Sequence, residues 1–260
     1  MEVTGKVAIV TGSGGEGSGR AIARRFARDG AKVVVCDINE PGGRETVRLI
    51  EGERGRAAFV RADVANKDDL ANLFAFAETT FGGVDILVNN ASDLAGSDDP
   101  LGEWFDAIQI DLLGTMHATL LAVEAMRRRG GGAIVNIGST SALGHGYKHG
   151  PWPGYDVAKA GVIRLTTTLA RLAESEKIRV NCLVPSWVAS PEVQAYVDSL
   201  TPDKRRARGA PDTLISLDEI ADAVSELATD ERLAGRVMVW WNGEARRLIQ
   251  LEDRGYAALE

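Results

Sequence analysis

The chain has 260 residues, 45% of them hydrophobic, enough to bury a sizeable core in one large α/β domain or two small ones. Its net charge of −7 argues against nucleic acid as a partner, and the basic runs at 127–129 and 204–208 read as solvated helix ends or loops. Two cysteines, Cys36 and Cys182, both inside strand-like runs, exclude a disulfide framework and fit a reducing compartment.

The first predicted element is the apolar run at 7–10, short enough for a buried strand. It leads into Thr11-Gly12-Ser13-Gly14-Gly15-Glu16-Gly17-Ser18-Gly19, and then into a helical pattern at 20–28. A strand, a glycine turn and a helix make a dinucleotide-binding corner. Glycines let the backbone approach a pyrophosphate, and the helix start offers it unpaired N–H groups and a positive dipole end. Gly12, Gly14 and Gly17 spell Gly-x-Gly-x-x-Gly, a weak signal alone that gains weight from its place between strand and helix.

The second strand, at 32–36, ends in Asp37. A carboxylate there accepts hydrogen bonds from adenosine ribose hydroxyls and repels the extra phosphate of NADP. No Arg or Lys occurs between Asp37 and Arg44 to neutralise that phosphate, so NAD is expected over NADP. The alternative is an Asp that merely begins a turn.

Further strands are read at 57–61, 86–88, 133–137, 179–183 and 237–240, separated by helices at 42–51, 67–81, 101–128, 155–174 and 217–228. Val- and Ile-rich strands alternating with helices predict a single Rossmann-type, doubly wound α/β domain over residues 1–260, with about seven parallel strands covered on both faces. The longest aperiodic stretch, 185–216, is expected to lie over the ligand crevice, with a charged tail at 244–260. The N-terminus lacks a basic region followed by a long apolar stretch, and no segment approaches membrane-spanning length. A soluble cytoplasmic protein with no membrane partner is expected. No His or carboxylate spacing suggests a metal site.

Tyr155-Asp156-Val157-Ala158-Lys159 heads a predicted helix, and its i,i+4 spacing puts Tyr155 and Lys159 on one face. A nearby ammonium favours a phenolate and lowers the tyrosine's pKa. Such a pair also arises by chance on a helix surface.

Together these elements make the chain similar to the short-chain dehydrogenase/reductases, in their single-domain NAD(P)-dependent branch. The resemblance runs from about Gly5 to Gly243 and rests on motifs in order. These are Thr11-Gly12 with Gly17-x-Gly19; Asp63-Val64; Asn89-Asn90-Ala91; Ile134 to Ser139; Tyr155-x-x-x-Lys159; and Pro185 through Ser190-Pro191. It implies an enzyme interconverting a secondary alcohol and a ketone, such as a 3-oxoacyl reductase or a hydroxy-compound dehydrogenase. Tyr155 would be the general acid/base. Lys159 would lower the Tyr155 pKa and hold the nicotinamide ribose, and Ser139 would donate to the substrate oxygen. Asp63 and Val64 would border the adenine, Asn89 and Ala91 would line the cofactor groove, and Pro185, Val188 and Ser190 would lie near the carboxamide. The helices at 101–128 and 155–174 commonly form a subunit contact in this family, so a homodimer or homotetramer is expected.

The chain departs from the family pattern in several places. The glycine turn has one extra residue between Gly12 and Gly17, and Glu16 is a carboxylate near the expected phosphates, where it is read as pointing to solvent. Asp111 stands where the family carries an Asn that holds a water near the lysine. Either its backbone carbonyl keeps that role, or its side chain pairs with Lys159 and weakens the pull on Tyr155. Ser139 matches the serine by motif and Ser141 by spacing to Tyr155. Extra residues at 144–154 bring His145, Tyr147, His149 and Trp152, either to recognise substrate or to pack on the surface. These departures keep a competing reading open, a dinucleotide-binding protein of the same fold that has lost turnover.

Overall fold

In a computed structural model, the described residues are 1–92, 104–143 and 152–250. The strands β1 (Val7–Thr11), β2 (Lys32–Asp37), β3 (Arg56–Arg61), β4 (Ile86–Asn89), β5 (Gly132–Ile137), β6 (Ile178–Pro185) and β7 (Val237–Trp240) run parallel. A two-residue β8 (Arg247–Leu248) pairs antiparallel with β7. The order is β3-β2-β1-β4-β5-β6-β7-β8. The sheet therefore has eight strands rather than about seven. The short eighth strand lies in the charged tail, where two residues carry no readable period.

The apolar runs explain the layering. Side chains alternate across a strand, so Ala8 and Val10 enter one core while Val7 and Ile9 enter the other. The first core takes Ile22 and Phe26 of helix α1 (Ser18–Arg28), Ile50 of α2 (Glu40–Gly52) and Ile220, Val224 and Leu227 of α10 (Leu217–Thr229). The second takes Leu70 and Leu73 of α3 (Lys67–Phe81) and Ala122 and Met126 of α5 (Thr115–Arg129). Both faces of the sheet are thus buried, as its continuous apolar strands require. Strand order reverses between β1 and β4, which opens a crevice at their carboxyl ends.

Three expected elements differ in detail. The helix read at 101–128 begins, among described residues, with α4 (Trp104–Ala107) and passes through a π-helical segment, Ile108–Gly114, before α5. The helix read at 155–174 is α6 (Pro153–Thr168) followed by the short α7 (Leu172–Glu176). The stretch 185–216 holds two helices, α8 (Pro191–Ser199) and α9 (Pro202–Arg208). Ser190 and Thr201 cap them, each followed by a proline at the first helical position.

Candidate active site

The glycine turn sits at the switch point, and the fold itself demands three of its glycines. Gly12 has φ +63°, and a Cβ there would lie 2.6 Å from the Ala91 Cα. A Cβ on Gly19 would lie 2.1 Å from the Gly12 carbonyl oxygen, and one on Gly14 would lie 2.8 Å from the Asp37 Cγ. Gly17 is different. Its Cβ would meet only the Ser190 Cβ, at 3.8 Å, and Gly15 faces open space. Internal packing therefore does not require Gly17. The nearest neighbour of a side chain at Gly17 would be Ser190, at the start of α8.

Two residues outside the expected set hold this turn. Arg20 Nη2 donates to the Gly14 carbonyl at 2.7 Å and Nε donates to Thr46 Oγ1 at 3.0 Å, so the lengthened turn is tied to α2. Asn90 Nδ2 donates to the carbonyls of Thr11 and Gly12, both at 3.0 Å. Asn90 lies within the Asn-Asn-Ala motif, which was the available signal. Glu16 is exposed and lies 3.7 Å from Arg20.

Asp37 ends β2 at the mouth of the crevice. Its carboxylate accepts from the Gly14 N–H at 2.7 Å and the Asn39 N–H at 2.9 Å. Arg61 stands opposite it in the β2–β3 register, a cation that reading along the chain overlooked. Asp63 follows β3, its side chain accepting from the Ala65 N–H at 2.9 Å. Val64 packs beside Gly114, where a Cβ would come 2.9 Å from the Val64 carbonyl.

The Asn89 side chain turns inward: its Nδ2 is buried, donating to Asn136 Oδ1 at 2.8 Å and Thr119 Oγ1 at 3.1 Å. Asn136 Nδ2 donates onward to Thr166 Oγ1 at 2.9 Å. This buried polar chain joins β4 and β5 to α5 and α6, each group finding the partner that burial makes necessary. Ala91 stands against Gly12. Pro185 ends β6, Val188 bridges to Ile215, and Ser190 caps α8 by accepting from the Val193 N–H at 3.3 Å.

Deeper in the crevice, α6, the π-helical segment and the end of β5 converge. Lys159 Nζ lies 2.8 Å from Asp111 Oδ1 and donates to the Ile137 carbonyl at 3.0 Å, with Lys159 and Asp111 both buried. Ser92 Oγ donates to the same Asp111 oxygen. The ammonium is 5.3 Å from the centre of the Tyr155 ring. Ser139 lies close enough to the Tyr155 hydroxyl to favour its ionised form. Ser141 Oγ bonds Ser139 Oγ at 2.9 Å, and the Ser141 N–H donates to it at 3.2 Å. The two candidate serines thus lie together, with Ser139 the one that acts on the Tyr155 hydroxyl. Of the residues in the 144–154 insertion, His145, Tyr147 and His149 lie outside the described residues, while Trp152 is exposed.

Electrostatics at this centre differ from the sequence reading. Burial pushes the Tyr155 hydroxyl up; Lys159 and Ser139 pull it down, and Asp111 pushes it up again. The net direction is upward, so the expected lowering by Lys159 is outweighed. Burial opposes the charge on Lys159, but Asp111 and Tyr155 overcome that cost and hold the ammonium above its ordinary range. The cluster can exchange a proton at the Tyr155 hydroxyl, with a serine hydroxyl beside it for a polar oxygen.

The short chain dehydrogenase family profile matches residues 6–200. A 3beta-hydroxysteroid dehydrogenase 1 of Eggerthella lenta is 36% identical over 245 residues, spanning 88% of this chain and 89% of that protein. A cis-4-hydroxycyclohexanecarboxylate dehydrogenase of Sinomonas cyclohexanicum is 36% identical over 234 residues, spanning 86% and 90%. The crystal structure of levodione reductase superposes with a TM-score of 0.81 at 26% identity, covering 91% of this chain and 96% of that one. The glycine turn at the β1–β4 switch and the Tyr155–Lys159 pair sit in a chain matched along most of its length, and the protein belongs to the short-chain dehydrogenase/reductase family of oxidoreductases.

Proposed function

We propose that this protein is an NAD(H)-dependent oxidoreductase that interconverts a secondary alcohol and a ketone on a small molecule. The observation that carries the reading is the grouping of Ser139, Tyr155 and Lys159 in a fold whose glycine turn has, at Gly17, no internal neighbour close enough to require a glycine. Mere binding of a dinucleotide has no need of all three side chains.

The cradle of Gly12, Gly14, Gly17 and Gly19 and the start of α1 would hold the pyrophosphate. Asp37 would take the adenosine ribose hydroxyls, Asp63 and Val64 would border the adenine, and Ala91 would flank the groove. Lys159 would hold the nicotinamide ribose, and Pro185, Val188 and Ser190 would flank the carboxamide. When bound, the dinucleotide supplies or accepts the hydride. The chain's own residues handle the proton: Tyr155 gives it to, or takes it from, the substrate oxygen, and Ser139 donates a hydrogen bond to that oxygen as charge develops on it. Two relatives are named for alcohols carried on rings, and this chain's substrate is proposed to be a ring-borne secondary alcohol or its ketone.

A homodimer or homotetramer and a cytoplasmic location belong to the same reading. Met116 and Leu120 of α5 and Val157 of α6 are exposed apolar side chains on the helices expected at the subunit contact, and Cys36 and Cys182 are free buried thiols. A monomeric mass in solution would remove the oligomer.

The test is NADH consumption with 4-oxocyclohexanecarboxylate and a 3-oxosteroid, comparing the natural protein with Tyr155→Phe. The variant is expected to lose about 10²–10⁴-fold in turnover while binding NADH equally well. Equal rates in the two proteins would instead favour the non-catalytic dinucleotide binder of the same fold.

A further inference from the structure

The family position held by Asp111 carries a charge here, and that charge is spent inside the site. Its carboxylate is fully buried, 2.8 Å from Lys159 Nζ, and the same oxygen accepts from Ser92. A buried ammonium facing a buried carboxylate is a nearly neutral pair when seen from the tyrosine ring, 5.3 Å from the ammonium. We propose that Asp111, positioned by Ser92, acts as a fixed counter-ion to Lys159 that keeps Tyr155 in its neutral, proton-donating form, so that this site is built for carbonyl reduction near neutral pH. The inference rests on the acid–base role of Tyr155 and adds to it a direction and two positioning residues.

Reduction needs a proton delivered to the substrate oxygen, so it needs the phenol. Oxidation needs a proton removed from the alcohol, so it needs the phenolate. An unopposed ammonium favours the phenolate; a carboxylate set against that ammonium withdraws the advantage. The groups that act on Tyr155 among the described residues are few. Lys159 and Asp156 come from its own helix, Asp111 from the π-helical segment and Ser139 from the end of β5. Cys182 of β6 acts on Lys159, but burial pushes that thiol up to about 12, so it is neutral at working pH. Lys159 and Ser139 favour the phenolate, whereas burial and both carboxylates oppose it. The sign is therefore toward the phenol, and alcohol oxidation is displaced to alkaline pH. The π-helical geometry contributes by carrying Asp111 to a buried position facing α6.

The experiment is a near-ultraviolet titration of tyrosinate absorbance in the dinucleotide-free protein, with the Tyr155→Phe trace subtracted to remove the other three tyrosines. In the natural protein the Tyr155 signal is expected to emerge above the pH at which free tyrosine ionises. In Asp111→Asn it is expected to move to lower pH, and alcohol oxidation near neutrality to gain about tenfold, the effect of removing one charge across a few ångströms of protein. A Tyr155 that ionises below free tyrosine in the natural protein would overturn the proposal without any Asp111 variant, so it stays testable if Asp111→Asn does not fold. An Asp111→Asn titration that superposes on the natural one would overturn it too. Retention of turnover by Tyr155→Phe would sink the acid–base reading itself, a separate result.

Discussion

Gly17 and Gly19 lie two residues apart in the same turn, yet the structure predicts opposite failures for them. A methyl group on Gly19 would sit 2.1 Å from the Gly12 carbonyl and 2.7 Å from Asn90 Nδ2. Both neighbours are fixed, because Asn90 bonds the carbonyls of Thr11 and Gly12 and Gly12 lies against Ala91. Overpacking of this kind costs about 1–3 kcal/mol, which in a domain of this size lowers Tm by roughly 2–12 °C. Gly17 has ordinary extended backbone (φ −92°, ψ −156°) and no neighbour closer than 3.8 Å to the added carbon. Gly17→Ala should leave Tm within about 2 °C, as surface-like substitutions do, yet place a methyl group in the phosphate cradle. NADH affinity should fall by about tenfold or more, the cost of roughly 1.4 kcal/mol at a closely approached phosphate. Differential scanning calorimetry and NADH titration on both variants give the two readouts. A Gly17→Ala protein that binds NADH normally, or a Gly19→Ala protein with unchanged Tm, would refute the assignment of cradle and packing glycines.

Asp37→Ala removes the carboxylate proposed to repel the second phosphate of NADP and leaves Arg61 as the cation opposite it in the strand register. The NADH-to-NADPH affinity ratio is expected to shift about tenfold toward NADPH; competitive titration measures it, and an unchanged ratio contradicts the role. Asn136→Ala breaks the buried chain from Asn89 to Thr166, removing one hydrogen bond from each while Asn89 keeps Thr119 and Thr166 keeps Val162. At about 1–3 kcal/mol for the two lost bonds together, Tm should fall by roughly 5 °C, and thermal unfolding with no shift would show that the network carries no stability. Leu120→Glu puts a charge on the exposed apolar face of α5. Light scattering should then report a smaller particle than the natural protein, and an unchanged oligomer would move the contact elsewhere.

The sheet was legible because its signal is repeated: the apolar runs of its central strands are buried, and alternate residues feed two cores. The glycine turn and the Tyr155–Lys159 pair were legible because fixed spacing places them on one turn or one helix face. What escaped was directional. Asn89 sits in a recognisable motif, but no spacing says that its amide points inward to Asn136. Arg61 reaches the neighbourhood of Asp37 only through strand pairing, which a linear search cannot see. The caps at Ser190-Pro191 and Thr201-Pro202 were readable as helix starts, although the weak periodicity behind them hid α8 and α9. The π-helical segment left no mark in the pattern of 104–114, and with it went the choice between backbone and side chain at Asp111.

Equilibrium titration of the purified protein with NADH and with NADPH, followed by quenching of tryptophan fluorescence, tests the central claim most directly. Saturable binding of both, with NADH tighter by about tenfold or more, is the predicted result, since a carboxylate at Asp37 repels the extra phosphate. Tighter NADPH binding would contradict the role of Asp37, and no saturable binding of either would contradict the dinucleotide cradle and the oxidoreductase built on it.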